Sequence, residues 1–156
     1  MASIIVKHNI EVAHRLFETK GKCEAIHGHS MMVHLEIPGQ LDKHGMLDGL
    51  EFGAVKKLFR GYLDENYDHH LLLNYKDPWA RPLAAHGDLD YEAGIVGEFE
   101  PLPGLLTVTG DPTTENIARW VAEWGVETFD RTCEVIVEET LVNAATYIAR
   151  SRTGGR

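Results

Sequence analysis

Three histidines and a cysteine stand in an order that suits metal chemistry. His27-Gly28-His29 places two imidazoles two residues apart, Cys23 lies four residues before them, and His14 lies upstream in Ala13-His14-Arg15-Leu16. On a β-strand, residues two apart point to the same face. His14 on a neighbouring strand would then complete a three-nitrogen site. Three protein ligands with an open fourth position are the arrangement of a catalytic zinc; a structural zinc normally takes four, usually with thiolates. Imidazoles without thiolates suit zinc best among common ions. A lone histidine is most often an ordinary, partly buried residue, but three in strand-compatible phase favour a metal.

Three further features carry chemistry. Cys23 lies in a polar loop with Lys20 and Lys22 beside it. Neighbouring cations and a zinc would stabilise its thiolate, which makes it a candidate base or nucleophile rather than the small core residue a cysteine more often is. Cys133 fits the core phase of a strand and reads as structural. Asp68-His69 pairs a carboxylate with an imidazole for acid–base work, and adjacent His70 leaves open which imidazole it serves. Glu139 is in phase with Val135 and Val137, so its carboxylate points inward, where it needs donors. A guanidine-like edge, two N–H groups side by side, would match it; pterins and guanines present that edge.

The elements that must hold these groups follow from periodicity. Ile4 to Leu16 alternates, with Ile4, Val6, Ile10 and Val12 on the face of His8 and His14, and Lys7, Asn9, Glu11 and Arg15 on the other. A second strand from His27 to Ile37 carries His27, His29, Met31, Val33, Leu35 and Ile37 in one phase, so the paired histidines continue a core face. Pro38-Gly39 ends it. Glu51 to Leu63 has the apolar stripe of a helix, with Phe52, Val55, Phe59, Tyr62 and Leu63. Asp111-Pro112 predicts a helix start with Asp111 as the cap. That helix runs to Phe129, with Ile117, Trp120, Val121 and Trp124 inward. Cys133 to Glu139 and Ala144 to Ala149 give the last two strands. The predicted order is strand, strand, helix, helix, strand, strand.

Between Asp77 and Gly110 four prolines alternate with glycines, a long irregular segment of the kind that serves function. Leu105 to Val108 fits a short strand within it. The expected organisation is one domain over 1–150 with this insertion at 77–110 and a frayed tail at 151–156. A length of 156 residues is enough for a substantial core. A net charge of -9 argues against nucleic acid as partner, since phosphate backbones call for basic surface. No apolar run approaches the roughly 20 residues of a membrane helix. With two distant cysteines and no signal-peptide layout, the expected compartment is a reducing cytoplasm.

Together these features resemble the 6-pyruvoyl-tetrahydropterin synthase family, and within it the branch of 6-carboxytetrahydropterin synthases of the queuosine and 7-deazaguanine pathway. The resemblance rests on Ala13-His14-Arg15-Leu16, Lys22-Cys23 followed by His27-Gly28-His29, Asp68-His69, Pro112-Thr113-Thr114-Glu115-Asn116 and Glu138-Glu139-Thr140. Where the family has Met-Val-x-Asp-Phe before its first helix, this chain has Met46 to Phe52: either the motif is expanded or Glu51 replaces the Asp. The resemblance implies an α+β T-fold: two hairpins in a four-stranded antiparallel sheet, two helices packed on one side, and a homo-oligomer whose sheets join into a barrel. It implies Zn2+ on His14, His27 and His29, catalysis by Cys23 with Asp68 and His69, and a pterin anchored by Glu139 with Thr140. The implied activity converts 7,8-dihydroneopterin triphosphate to 6-carboxytetrahydropterin, acetaldehyde and triphosphate. Arg15, Lys20 or Lys22 would meet the triphosphate. The nearest rival is a 6-pyruvoyl-tetrahydropterin synthase, which keeps the carbon chain; a rival of another class is a zinc- or pterin-binding protein without turnover.

Overall fold

In a computed structural model of the chain, which describes residues 2–19, 21–47, 49–84 and 103–151, the two long alternating stretches form one hairpin. β1 (Ala2–His14) and β2 (His27–Gly39) pair antiparallel along their whole length, from Ala2 opposite Gly39 to His14 opposite His27. Ile4, Val6, Ile10, Val12, Met31, Val33, Leu35 and Ile37 are all buried, as their shared phase requires. The last pair of this ladder is His14 and His27, so the hairpin delivers both rings to the end from which the 15–26 connection leaves.

α1 (Phe52–Asn66) and α3 (Thr114–Phe129) pack on the apolar face of the sheet. α1 buries Val55, Phe59 and Leu63, while α3 buries Ile117, Ala118, Val121 and Ala122. Phe52, expected in the α1 stripe, is 58% exposed, because it is the first helical residue and overhangs the core. Tyr62 stacks on Trp124 with ring centroids 4.2 Å apart, joining the two helices. The cap of α3 is Thr113, whose hydroxyl accepts from the Asn116 amide at 3.2 Å, and not the expected Asp111. Asp111 is buried and turns the other way: its carboxylate accepts from the Glu18 amide at 2.8 Å and the Asn74 side chain at 3.1 Å.

β5 (Cys133–Glu138) pairs antiparallel with β2 and with β6 (Ala144–Ala149). The expected four-stranded antiparallel sheet with two helices needs correction. The sheet has six described strands in the order β4-β3-β1-β2-β5-β6, and it is mixed. β3 (His70–Asn74) lies parallel to β1, and β4 (Leu105–Val108) lies parallel to β3. A short helix, α2 (Ala80–Ala84), is a third helix. β3 is a five-residue run centred on Leu71-Leu72-Leu73; so short an apolar run has no period that separates strand from helix. β4 and α2 fall inside the segment expected at 77–110; residues 85–102 of that segment, and 152–156 of the tail, lie outside the described residues. No helix among the described residues is long and apolar enough to cross a membrane.

Candidate functional site

His14, His27 and His29 come together at the loop end of the β1–β2 hairpin, their ligand nitrogens all within 4.8 Å of one another. The Nε2 atoms of His14 and His27 are 3.1 Å apart. Their orientation is fixed from behind. His14 Nδ1 donates to the Pro112 carbonyl at 2.7 Å, and His27 Nδ1 donates to the Ala25 carbonyl at 2.8 Å. A ring whose Nδ1 carries the donated proton presents a bare Nε2 lone pair, the state a metal needs. His14 is wholly buried, and burial holds its pKa below the ordinary value, reinforced by His27 and His29 and opposed by the Pro112 hydrogen bond and Glu139. His29 Nε2 is buried with no hydrogen-bond partner among the described residues. A buried nitrogen without a partner is costly, and a cation among three neutral imidazoles would relieve it. The donor set therefore fits a metal ion with three nitrogen ligands.

Glu139 is the next group at this cluster. It follows β5 by one residue, and its Oε1 lies 3.6 Å from His29 Nε2 and 3.8 Å from His14 Nε2. It keeps the inward phase of Val135 and Val137, whereas Glu138 faces out and pairs with His34 at 3.0 Å. Thr140 does not point its hydroxyl at the cluster: that oxygen accepts from the Val142 amide at 3.3 Å and the Asn143 amide at 3.1 Å. It shapes the turn that carries Glu139. Glu139 lines a cavity of about 400 Å³ with Thr114, Glu115, Asn143 and Ala144. Glu115 is a second carboxylate on that cavity that the sequence reading left without a role. Acids in the first turn of a helix ordinarily complement its dipole, and that explanation conceals any other use.

Asp68 and His69 form a pair, Oδ2 to Nδ1 at 2.7 Å, just before β3. Asp68 Oδ1 also accepts from the Glu11 amide at 2.7 Å. Burial pushes the Asp68 pKa up, but the hydrogen bonds from Glu11 and His69 outweigh it and hold the carboxyl below its ordinary value. His69 sits at a positive φ of 59°, uncommon for a residue with a side chain, and its ring is 78% exposed. The imidazole on the Asp68 carboxylate is that of His69; adjacent His70 bonds through Nδ1 to the Asp68 carbonyl at 2.8 Å and lines the same cavity as His69. His69 and His29 both line a cavity of about 540 Å³, together with Glu11, Ala13, Gly28 and Ser30. A Cβ on Gly28 would stand 3.2 Å from the Val12 carbonyl, tighter than an ordinary contact, so glycine keeps the cavity open there without asking the β1 backbone to give.

Cys23 is an exposed free thiol on a single 3-10 turn, Lys22–Glu24, in the connection between the two strands that carry the histidine cluster. Cys133 is buried, and burial raises its pKa to about 12, which leaves it an inert core thiol. Of the three cations expected to meet a triphosphate, Lys22 is exposed and Lys20 lies outside the described residues. Arg15 is only 9% exposed and is bound to Asp77 at 2.8 Å, so it is not free to meet one. Glu51 caps α1, its carboxylate accepting from the Gly53 and Ala54 amides at 2.9 Å each.

The family model described as 6-pyruvoyl tetrahydropterin synthase matches residues 3–150. A relative named 6-carboxy-5,6,7,8-tetrahydropterin synthase, from Rickettsia conorii, is 37% identical over 109 residues, covering 69% of this chain and 68% of its own. One of the same name from Rickettsia typhi is 34% identical over 111 residues, 70% of each chain. Among solved structures, 6-pyruvoyl tetrahydropterin synthase from Plasmodium vivax aligns with a TM-score of 0.66 at 20% identity, covering 96% of this chain and 98% of that one. The Caenorhabditis elegans protein of the same name aligns at 0.63 and 22%, covering 95% of each. These structural likenesses establish the T-fold, with the six-stranded mixed sheet described above. With a family model spanning nearly the whole chain, and relatives at this identity, the chain belongs to the 6-pyruvoyl tetrahydropterin synthase family.

Proposed function

We propose that this chain is a zinc-dependent 6-carboxy-5,6,7,8-tetrahydropterin synthase, a lyase that converts 7,8-dihydroneopterin triphosphate to 6-carboxytetrahydropterin with loss of acetaldehyde and triphosphate. The observation that carries it is the convergence of three Nε2 lone pairs beside the Glu139 carboxylate. The relatives at 30–37% identity that bear the carboxy name favour this branch. His14, His27 and His29 would hold the zinc, which supplies a Lewis acid to the oxygens of the substrate side chain when bound.

The chain's own groups then take distinct roles. Glu139 pairs with the guanidine-like edge of the pterin through a bidentate, charge-assisted contact, and Glu115 borders the same cavity. Glu139 thereby fixes the ring so that the side-chain carbons meet the reactive groups. Cys23, as thiolate, removes or relays a proton near the first side-chain carbon. His69 exchanges protons with the neighbouring hydroxyl, and Asp68, kept anionic by the Glu11 amide, steadies the imidazolium that forms. The proposed setting is a cytoplasmic homo-oligomer supplying a precursor of 7-deazaguanine or queuosine.

The second reading is a 6-pyruvoyl-tetrahydropterin synthase, favoured by the names of the solved structures of the same fold. Incubation with the triphosphate substrate, read by mass spectrometry, separates them. The carboxy product with acetaldehyde is expected; a product that retains the full carbon chain would establish the second reading. Binding of pterin with no triphosphate released would mean that the chain is a binding protein.

A further inference from the structure

Arg15 should face solvent by the alternation of β1, yet it is buried and hydrogen-bonded through Nε and Nη1. β1 ends at His14, so the phase no longer applies one residue on. The Arg15 Nε donates to the Glu24 carbonyl at 2.6 Å, and Nη1 donates to Asp77 Oδ1 at 2.8 Å. Its guanidinium carbon sits 4.3 Å from the centroid of the Trp79 ring. Asp77 has no exposed side-chain surface, and the same Oδ1 accepts from the Trp79 amide at 2.9 Å. Its Oδ2 is buried without a hydrogen-bond partner among the described residues, so the carboxylate depends on Arg15 to offset its desolvation.

The far end of this brace is the turn that carries Cys23. None of the three residues of that turn is buried, so apolar packing does little to hold it. Its own bonds are long, Glu24 N to Gly21 O at 3.2 Å and Ala25 N to Lys22 O at 3.3 Å. A single 3-10 turn with such bonds is weak by itself. Two shorter bonds pin it to the end of β1: Leu16 N to Cys23 O at 2.8 Å, and the 2.6 Å bond from Arg15 to the Glu24 carbonyl. We propose that Arg15, clamped between Asp77 and Trp79, is a positioning residue that fixes the Cys23 turn relative to the histidine cluster. The proposal rests on Cys23 being the reactive thiol only for its effect on rate; the anchoring itself does not depend on that role. The planar fork is the feature required, because one guanidinium reaches a carbonyl and a carboxylate in fixed directions and an ammonium does not.

The test is Arg15→Lys, which keeps the charge for Asp77 but loses the fork. Amide hydrogen exchange of Glu24 and Ala25 in the zinc-loaded full chain should accelerate about tenfold or more, while the amides of Met31 to Leu35 keep their wild-type rates. Zinc content should not change, and kcat should fall about tenfold with KM within about twofold, the pattern of a misplaced catalytic group. Trp79→Ala removes the stacked ring from a half-exposed side chain, so it leaves the core intact and should show the same change in smaller measure. Unaltered exchange of the Glu24 and Ala25 amides in the folded variant, or a rise of the same factor throughout β1 and β2, would overturn the proposal; if Arg15→Lys does not fold, unaltered exchange in Trp79→Ala does so. Cys23→Ala with wild-type turnover would instead sink the catalytic role of the thiol and leave the exchange result standing.

Discussion

Each imidazole of the cluster is useful because of what stands behind it. His14 and His27 spend Nδ1 on backbone carbonyls, so neither ring can turn away without losing a hydrogen bond. The expected outcome is about one zinc per chain in metal-loaded protein, and loss of it in a His27→Ala, His29→Ala double variant measured by elemental analysis. Full retention would remove the site. Glu139 is tested by substitution with Gln, which turns one acceptor into a donor facing a donor. Pterin affinity read by fluorescence titration should fall by about 2–3 kcal/mol, the scale of a hydrogen bond to a charged group. Glu138→Gln, on the opposite face and paired with His34, should bind pterin nearly as the wild type does. If Glu138→Gln is the variant that loses binding, the inward phase assigned to Glu139 is wrong. The histidines were legible in the sequence because strand phase alone places them. Arg15 was not, because its role begins where the strand stops. Nor was the Pro112 carbonyl, since no side-chain pattern announces a backbone acceptor 98 residues away.

At the level of elements, legibility followed period. β1, β2 and β5 alternate and were readable, as were the stripes of α1 and α3; β6 follows a short turn after β5 and buries only its last residue, Ala149. The short strand expected at Leu105 to Val108 is β4; β3 itself, and the parallel pairing of both to strands far off in sequence, were not readable, because such short runs carry no alternation. The helix ends add a pH test. The Gly53 and Ala54 amides hold the Glu51 carboxyl below its ordinary 4.5, so the folded state takes up this proton less readily than the unfolded chain. The stability due to the cap is thus complete above about 4.5 and is lost as pH falls through the lowered value. Thermal melts of wild type and Glu51→Gln should differ at neutral pH and converge in acid; a constant gap would mean that the charge plays no part in the cap. The seam between α3 and β5 gives a second test. A Cβ on Gly125 would meet Cys133 Sγ at 2.9 Å and Leu35 Cδ1 at 3.4 Å. Gly125→Ala should cost roughly 1–3 kcal/mol in denaturant melts by overpacking. Adding Cys133→Ala, which vacates the contact, should recover part of that, and strict additivity would exclude the clash.

Among the described residues, the sheet is open at both ends. β4 and β6 are edge strands, and an uncovered edge is a template for another chain unless it is blunted. The β5–β6 hairpin does the opposite of blunting. Leu141 and Val142 stand almost fully exposed at its tip, and Ile148 is 48% exposed along β6. Apolar side chains left exposed on an edge hairpin are available for contact with another chain. The expected outcome in sedimentation velocity is a mass that is an integer multiple of the chain. Ile148→Glu combined with Leu141→Ser should shift that mass downward, since a carboxylate on an edge strand opposes pairing. The three histidines proposed to hold zinc come from one hairpin of one chain, so the dissociated variant should keep the metal. Turnover should fall with the mass if the proposed site draws on more than one copy, and persist if a single copy suffices. A wild type that sediments as a single chain at the concentrations used for assay would remove the barrel from the account while leaving the metal centre untouched, because nothing in the histidine cluster depends on a second copy.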